Sequence, residues 1–338
     1  MKKSMFRLIF IIFIFILLLN FLLNESVENV SNVFNLDNVY IYKPKIKIID
    51  INSKSRPYAV SINNNHSSWP HVGLQEAYLC YELIAEGGIT RILAFYKDKN
   101  LDKIGSVRSA RHYFLDYVLE NDAIFVHYGH SPKALEDINS LSIDNINGMN
   151  NSKAFFRDKT LNKAYEHTAF TSTSLINEYI SKFKYRNTTK VNLLDYNYYD
   201  IDFSSDSSVI NAREVIINYS KYTNTKYVYD EVNKNYVQYM SDIIQKDGIS
   251  GKNYTVKNII TYKVENKLLD NKGRQDLYNI GSGKGYYISN GKAISITWKK
   301  DSRSSQTIYY NSNGEKIKVN DGNTWIHIQP IKESLIIK

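Results

Sequence analysis

Hydrophobic and polar positions divide the chain into three parts with different periods. Residues 8–23 form an apolar run that is interrupted by Asn20. Between residues 55 and 194, short apolar runs alternate with stretches whose apolar side chains recur at helical spacing. From residue 195 onward, brief runs rich in Val, Ile, Tyr and Thr are separated by Asn, Asp and Gly, which is typical of many short strands.

This pattern predicts an α+β fold, with an N-terminal α/β domain followed by a mostly β C-terminal module. We assign residues 1–30 to a signal anchor, 31–54 to a polar tether, 55–194 to the α/β domain and 195–338 to the β module. In the first domain the expected elements are strands at Tyr58–Ile62 and Ala123–Tyr128, a hairpin of Tyr78–Ala85 and Ile89–Tyr96 around Glu86-Gly87-Gly88, and helices at Ala110–Glu120, after Ser131-Pro132, and at Ser174–Phe183.

The N-terminal apolar run has basic flanks. Lys2, Lys3 and Arg7 precede it, no small-x-small cleavage site follows, and no cysteine lies nearby for lipid attachment. The run is short for a membrane span of about 20 residues and long for a signal-peptide core. We favour an uncleaved anchor over a cleaved signal, with the N-terminus in the cytoplasm and the body outside it, in a single-pass cell-membrane protein.

The net charge of +9 is concentrated at the C-terminal end, where residues 252–338 hold 15 Lys and Arg against 7 Asp and Glu. Such an excess favours anionic partners, here an anionic lipid or a wall polymer, although a solvated basic face is the plainer interpretation. Nucleic acid is not expected outside the cell, and a protein partner stays open as an alternative. The single cysteine, Cys80, lies in an apolar run and is expected to be a buried core thiol.

Candidate anion ligands follow the hairpin. Arg108, Ser109 and Arg111 lie where a strand-like segment passes into the expected helix, and Arg91 follows the double glycine. Ser109 is expected to cap that helix, and a guanidinium group binds phosphate or carboxylate through two parallel hydrogen bonds. The alternative is that these arginines form internal ion pairs with Glu86, Asp116 or Asp122.

Three residues are candidates for catalysis: Glu86 and Asp158 as base or metal ligand, and His167 as general base or ligand. Thr171, Ser172 and Ser174 are better explained as helix caps than as nucleophiles. No metal is predicted, since the spacing of the seven histidines matches no zinc pattern, and no nucleotide or dinucleotide fingerprint predicts a cofactor. The glycine-rich stretch Gly281–Gly285 lies between strand runs, which favours a β turn over a phosphate loop.

Several motifs resemble the YerB-like family, a bacterial lipoprotein family of unknown function. The resemblance covers roughly Arg56 to Pro330. The motifs are Arg56–Val60, Tyr81-Glu82, Glu86–Arg91, Gly105–Arg111 and Phe156–Asp158 in the first domain, and Gly281–Gly285, Trp298–Ser305 and Gly322–Ile326 in the second. Two departures matter: this sequence has no lipobox cysteine, and Asn63 and Asn65 stand where the family has an acidic residue and a histidine.

The order of elements is also similar in outline to the LytR-CpsA-Psr phosphotransferases, which hold a polyprenyl pyrophosphate with arginines; this likeness is one of order and texture. Two functions therefore stay open. The favoured one is a membrane-anchored envelope protein that binds an anionic ligand or a protein partner. The alternative is an enzyme acting on a phosphorylated envelope substrate, with the arginines as anion clamps.

Overall fold

The computed structural model describes residues 45–189, 191 and 194–338, together with Leu19. In the described part, the helices are α1 Leu115–Glu120, α2 Pro132–Ser140 and α3 Thr173–Lys182. The strands are β1 Tyr58–Asn63, β2 Leu79–Ile84, β3 Thr90–Tyr96, β4 Ile104–Gly105, β5 Ile124–His127, β6 Asn145–Asn147, β7 Phe156–Arg157, β8 Ala169–Thr171, β9 Tyr196–Asn197, β10 Ile210–Asn211, β11 Glu214–Ser220, β12 Thr223–Asp230, β13 Asn235–Met240, β14 Ile243–Ile244, β15 Thr255–Val256, β16 Asn258–Val264, β17 Asn266–Leu268, β18 Gln275–Leu277, β19 Gly281–Ser289, β20 Lys292–Lys300, β21 Ile308–Tyr310, β22 Val319–Asn320, β23 Thr324–Pro330 and β24 Leu335–Ile337.

An 11-stranded mixed sheet runs through the whole body, in the order β10-β20-β19-β16-β23-β2-β3-β1-β5-β6 with β21 beside β20. Its central strand is β23, which pairs in parallel with β2 on one side and with β16 on the other. All seven residues of β23 are buried. Strands from both predicted domains therefore share one hydrogen-bonded sheet.

The side chains of successive β2 residues point to opposite faces of this sheet. On one face, the Tyr81 ring stacks on the Tyr117 ring of α1 at 4.4 Å between centroids, and its hydroxyl donates to Glu120 at 2.6 Å. On the other face, Cys80 and Glu82 face the 6-stranded sheet β14-β13-β12-β11-β24, in which β15 pairs with β13. The alternation follows from the two-residue period of a strand, and it confirms Cys80 as a buried thiol.

Polar side chains are buried where the two sheets meet. Glu82 of β2 accepts hydrogen bonds from Thr90 at 2.6 Å and from Thr225 at 2.8 Å. Its register partner His327 contacts the hydroxyls of Tyr219 and Tyr227 at 2.8 and 2.9 Å. Because unpaired buried polar groups are costly, these reciprocal bonds fix how the second sheet sits on the first.

A buried ion pair joins the two halves of the chain. Lys300 at the end of β20 lies 2.5 Å from Glu120 at the end of α1, and both side chains are almost fully enclosed. Thr307 donates to the same carboxylate through its backbone N–H and its hydroxyl, at 3.0 and 2.7 Å. The Trp298–Ser305 motif thus supplies the cation that neutralises an acid of the first half. Arg303 in the same loop pairs with Asp116 and Asp137.

The fold is mostly β with few helices, which confirms the β character of the C-terminal part. The expected hairpin is present as β2 and β3, and Ser131 caps α2 by accepting from the Ala134 N–H. The α/β organisation of residues 55–194 stays a prediction, because β1, β5 and β6 pair in parallel whereas β2 and β3 are antiparallel. The boundary at residue 194 also stays a prediction; residues 45–338 form one compact unit.

The β turn expected at Gly281–Gly285 is wrong, because these residues begin β19, which pairs along its length with β20. Their lack of side chains has a packing cause: a Cβ at Gly285 would lie 2.4 Å from the Thr261 carbonyl oxygen, and one at Gly283 would lie 2.8 Å from Trp298 Nε1. The turn lies at Asn290-Gly291 instead.

The predicted signal anchor, residues 1–30, lies outside the described residues apart from Leu19, and so does most of the predicted tether. In the described part of the chain, no helix is long and apolar enough to cross a membrane.

We expect Lys300→Met to lower the free energy of unfolding by about 3–5 kcal/mol, because it leaves the Glu120 carboxylate buried without its cation. The double variant Glu120→Gln/Lys300→Met should lose less than the two single variants together, since neither charge remains. Urea unfolding of the full chain measures this, with Lys299→Met, whose side chain is largely exposed, as the control. Equal losses for Lys300→Met and Lys299→Met would contradict the role of the ion pair.

Glu82 should make stability depend on pH. Burial raises its pKa from 4.5 to about 7, against the hydrogen bonds of Thr90, Thr225 and Asn64. The folded chain therefore holds a proton that the unfolded chain has released, and this contribution to stability falls as pH rises from about 4.5 to about 7. Glu82→Gln keeps the neutral form, so the difference in unfolding free energy between variant and parent should grow in favour of the variant across that range. A pH-independent difference would refute this.

Candidate functional site

The segment from Val107 to Ala110 is fixed across the ends of two strands. Arg108 N–H donates to the Ser61 carbonyl oxygen in β1 at 2.8 Å, and the Arg108 carbonyl oxygen accepts from Tyr128 N–H, just after β5, at 3.0 Å. Ala110 N–H donates to Gly129 O at 2.9 Å. Backbone hydrogen bonds thus hold this segment against β1 and the end of β5, so its side chains do not project from a free loop.

Two of the predicted arginines share one acid. Glu86 forms an ion pair with Arg111, and its other oxygen lies 3.7 Å from Arg91 Nη2. Arg91 also donates to the Ser109 carbonyl oxygen at 2.8 Å. Burial opposes the charge on Glu86, but the hydrogen bond and charge of Arg111 outweigh it, so the pKa of Glu86 lies below its usual value. Glu86 is therefore an ionised partner of arginines, and its predicted catalytic role is untested.

Arg108 is less completely paired. Its Nη2 lies 3.9 Å from Glu166 Oε1 and its Nη1 donates to the Glu166 carbonyl oxygen at 3.4 Å. Its Nε is buried and has no hydrogen-bond partner among the described residues. Burial and the charge of Arg111 lower the pKa of Arg108, although Glu166 opposes them. An anion beside the guanidinium would offset this repulsion.

Arg157 completes the cation cluster, and sequence reasoning assigned it no role. Its guanidinium lies between two rings, 4.5 Å from the Tyr128 centroid and 3.9 Å from the Tyr165 centroid, in cation–π contact with both. Its Nη1 donates to the Tyr165 carbonyl oxygen at 2.5 Å. The only signal in the sequence was the Phe156-Arg157-Asp158 motif; the ring partners come from distant positions.

Arg108 and Arg157 line a cavity of about 360 Å³. We call it the arginine cleft and define it by Arg108, Ser109, Tyr128, His130, Arg157 and Tyr165. Glu166 is its acidic wall residue among those described. Burial first, and then the charges of Arg111 and Arg108, lower the pKa of Arg91 to about 9. The cations thus repel one another around an open space, as expected of an anion site.

Ser109 does not cap the helix, so that part of the prediction is wrong. The helical segment begins with a 3-10 turn at His112–Phe114, preceded by Arg111, which makes no side-chain cap bond. Ser109 Oγ instead donates to the Tyr128 carbonyl oxygen at 3.1 Å. A turn this short offers no helix-end charge for a ligand, so anion binding rests on the guanidinium groups. Of the other predicted cap residues, Thr171, Ser172 and Ser174, Ser172 caps α3, because its Oγ accepts from Leu175 N–H at 3.2 Å.

Asp158 and His167 lie near the cleft but do not line it. Asp158 is ion-paired with Lys103, which together with Thr160 lowers its pKa to about 2. His167 Nδ1 lies 2.7 Å from Asn63 Nδ2, whose amide oxygen accepts from Asn65 N–H. The amide therefore donates to Nδ1, so a neutral ring carries its proton on Nε2. Burial and then Arg108 lower the pKa of His167. Its role as a base stays a prediction, and Nε2 is a donor in this arrangement.

Two of the four predicted anion-binding residues line the cleft, and none of the three catalytic candidates does. Arg108 and Ser109 line it. Arg91 and Arg111 do not line it, but their charges and that of Arg108 repel one another. Of the alternative partners, Glu86 pairs with Arg111, while Asp116 and Asp122 pair with other arginines, namely Arg303 and Arg186.

Two family models match the chain, and both describe proteins of unknown function. The DUF3048 N-terminal domain matches residues 47–186, and the DUF3048 C-terminal domain matches residues 215–326. The chain therefore belongs to the DUF3048 family, which confirms the YerB-like resemblance.

Its relatives include a Bacillus subtilis (strain 168) protein named "Putative lipoprotein YerB", which is 30% identical over 287 residues, or 82% of each chain. The crystal structure of the YerB protein from Bacillus subtilis matches with a TM-score of 0.76 and 27% identity, covering 88% of this chain and all of that one. The LytR-CpsA-Psr likeness stays an analogy of element order.

The two arginines of the central motif should respond differently to truncation. Arg111→Ala should lower the free energy of unfolding by about 1–3 kcal/mol, because it removes the charged hydrogen-bond partner of Glu86. Arg108→Ala should change it by less than about 1 kcal/mol, because its ion pair with the exposed Glu166 is long. Denaturant unfolding measures both. An equally large loss for Arg108→Ala would assign Arg108 to the framework instead of to a site.

Proposed function

We propose that this chain is an envelope protein at the outer face of a bacterial membrane, attached through residues 8–23, and that its arginine cleft binds an anionic group of an envelope ligand. The lipoprotein name of its relative and the basic-flanked apolar run support the location. The ligand class is an anionic lipid headgroup or an anionic wall polymer, which share a phosphate or carboxylate.

The observation that carries the proposal is the unsatisfied Arg108. Arg108 lines the cleft, its Nε is buried without a hydrogen-bond partner in the described part of the chain, and its ion pair with Glu166 is long, so its charge is incompletely compensated unless an anion occupies the cleft. Arg157 is already oriented by two rings, so little side-chain freedom is lost when an anion binds. Arg108 and Arg157 meet one wall carboxylate, from Glu166, which leaves the cleft positive.

The enzyme alternative, action on a phosphorylated envelope substrate, has weaker support. Glu86 and Asp158 are held in ion pairs with Arg111 and Lys103, and His167 offers a proton at Nε2 rather than an acceptor. A histidine that donates from Nε2 stabilises an anion more readily than it activates a nucleophile. The basic C-terminal module is a second candidate for anion binding, and its charges are distinct from those of the cleft.

The test measures binding of the full chain, in non-ionic detergent, to a polyprenyl pyrophosphate and to phosphatidylglycerol at low and high salt. Arg108→Ala and Arg157→Ala should each weaken pyrophosphate binding at least about tenfold, or about 1.4 kcal/mol. Lys284→Ala, an exposed lysine of the basic module, is the matched control and should change little.

Binding that is lost with Lys284→Ala, fades with salt and ignores both arginines would refute the cleft and assign binding to the basic module. A pyrophosphate that is consumed, rather than merely bound, would favour the enzyme alternative.

A further inference from the structure

A second cavity, of about 230 Å³, adjoins the arginine cleft. Five asparagines line it: Asn139, Asn145, Asn147, Asn150 and Asn151. We call it the amide cleft. Among the described residues its wall contains no Asp, Glu, Lys or Arg, and burial lowers the pKa of its His127 to about 4, so that side chain is neutral near pH 7. An uncharged, amide-rich cleft thus lies beside a cationic one.

Four of the five asparagines divide into two groups by their hydrogen bonds, and the fifth, Asn151, donates to the Asn147 carbonyl oxygen at 3.3 Å. Asn147 Oδ1 accepts from the Gly129 and Met149 N–H groups, both at 3.0 Å, and Asn145 bonds to the Ile143 carbonyl oxygen and to His127. These side chains hold the wall in place. The exposed side chains of Asn139 and Asn150 make no hydrogen bond to the described residues. Their amides, each with a donor and an acceptor end, are free for a ligand.

The two clefts share a wall at His130, which lines both. Its Nδ1 is buried and has no partner among the described residues. The neighbours Met149 and Asn150 line one cleft each. A ligand that extends past His130 therefore contacts guanidinium groups at one end and amides at the other.

The chemistry of the amide cleft fits hydroxyl groups. A hydroxyl donates one hydrogen bond and accepts others, which matches the mixed ends of an amide. Phe183 and Tyr185 add half-buried rings to the same wall, with centroids 5.3 Å apart, against which an apolar face of a ring can pack. The described part of the wall carries no positive charge and offers acceptors as well as donors, which favours a neutral, hydroxyl-bearing ligand portion over a second anionic group.

We propose that the two clefts form one site for an acidic saccharide, whose phosphate or carboxylate lies in the arginine cleft and whose sugar hydroxyls contact Asn139 and Asn150. This inference rests on the proposed function and specifies its ligand class. The acid group is shared by sugar phosphates and uronic acids, and the experiment separates these two sources.

The test compares affinities of the full chain, in detergent, for inorganic phosphate, glucose 6-phosphate, glucuronic acid and glucose. We expect one of the two acidic sugars to bind at least tenfold more tightly than inorganic phosphate, and glucose to bind more weakly than that sugar. Asn139→Ala/Asn150→Ala should abolish this gain while leaving phosphate affinity unchanged, because a site built for hydroxyls loses only their contribution. Arg157→Ala should weaken every acidic ligand.

Asn313→Ala, an exposed asparagine of the C-terminal half, is the control and should change nothing. If glucose 6-phosphate binds more tightly than glucuronic acid, the acid group of the ligand is a phosphate; if glucuronic acid binds more tightly, it is a carboxylate. Phosphate binding without a gain from either sugar would overturn this inference and leave the proposed function standing. Failure of all the anions to bind would overturn both. A gain that survives the asparagine double variant would also overturn the assignment of the sugar to the amide cleft.

Discussion

Strand β23 occupies the centre of the main sheet, between β2 and β16, and both layers of the body depend on it. The side chains of Trp325 and His327 lie on the face that meets the second sheet, whereas those of Ile326 and Ile328 lie on the opposite face. The strand lies near the C-terminal end of the chain, so the sheet closes only after nearly all of the sequence is available. Such non-local parallel pairing is a slow step in folding.

The arginine cleft lies beside β1 and β5 of this sheet, and these strands hold its backbone in place. Backbone hydrogen bonds fix Arg108 between the ends of these two strands. Glu86 restrains Arg91 and Arg111, and two tyrosine rings restrain Arg157. The cations are therefore assembled before any ligand arrives, and the folded body meets the cost of bringing like charges together.

Local signals in the sequence predicted local structure well. The double glycine predicted the hairpin, and the Ser131-Pro132 pair predicted the start of a helix, because both act through the backbone of a few adjacent residues. Gly281–Gly285 misled the same reasoning, since glycine also serves where backbone and ring from other strands approach closely.

The features that the sequence did not predict depend on contacts between residues that are separated along the chain. Arg157 gains its role from Tyr128 and Tyr165, and the central place of β23 depends on pairing across most of the chain. The resemblance motifs marked the arginines of the site, but the pattern of single residues could not show which of them keeps an unsatisfied nitrogen.

The buried pair of Lys300 and Glu120 makes the two halves of this chain dependent on each other. Each half contributes one charge, and neither charge is tolerable alone in that enclosed position. A substitution that removes one charge is therefore expected to need a matching substitution at the other position. A hybrid made by exchanging one half between relatives should fold only where acid and base still meet.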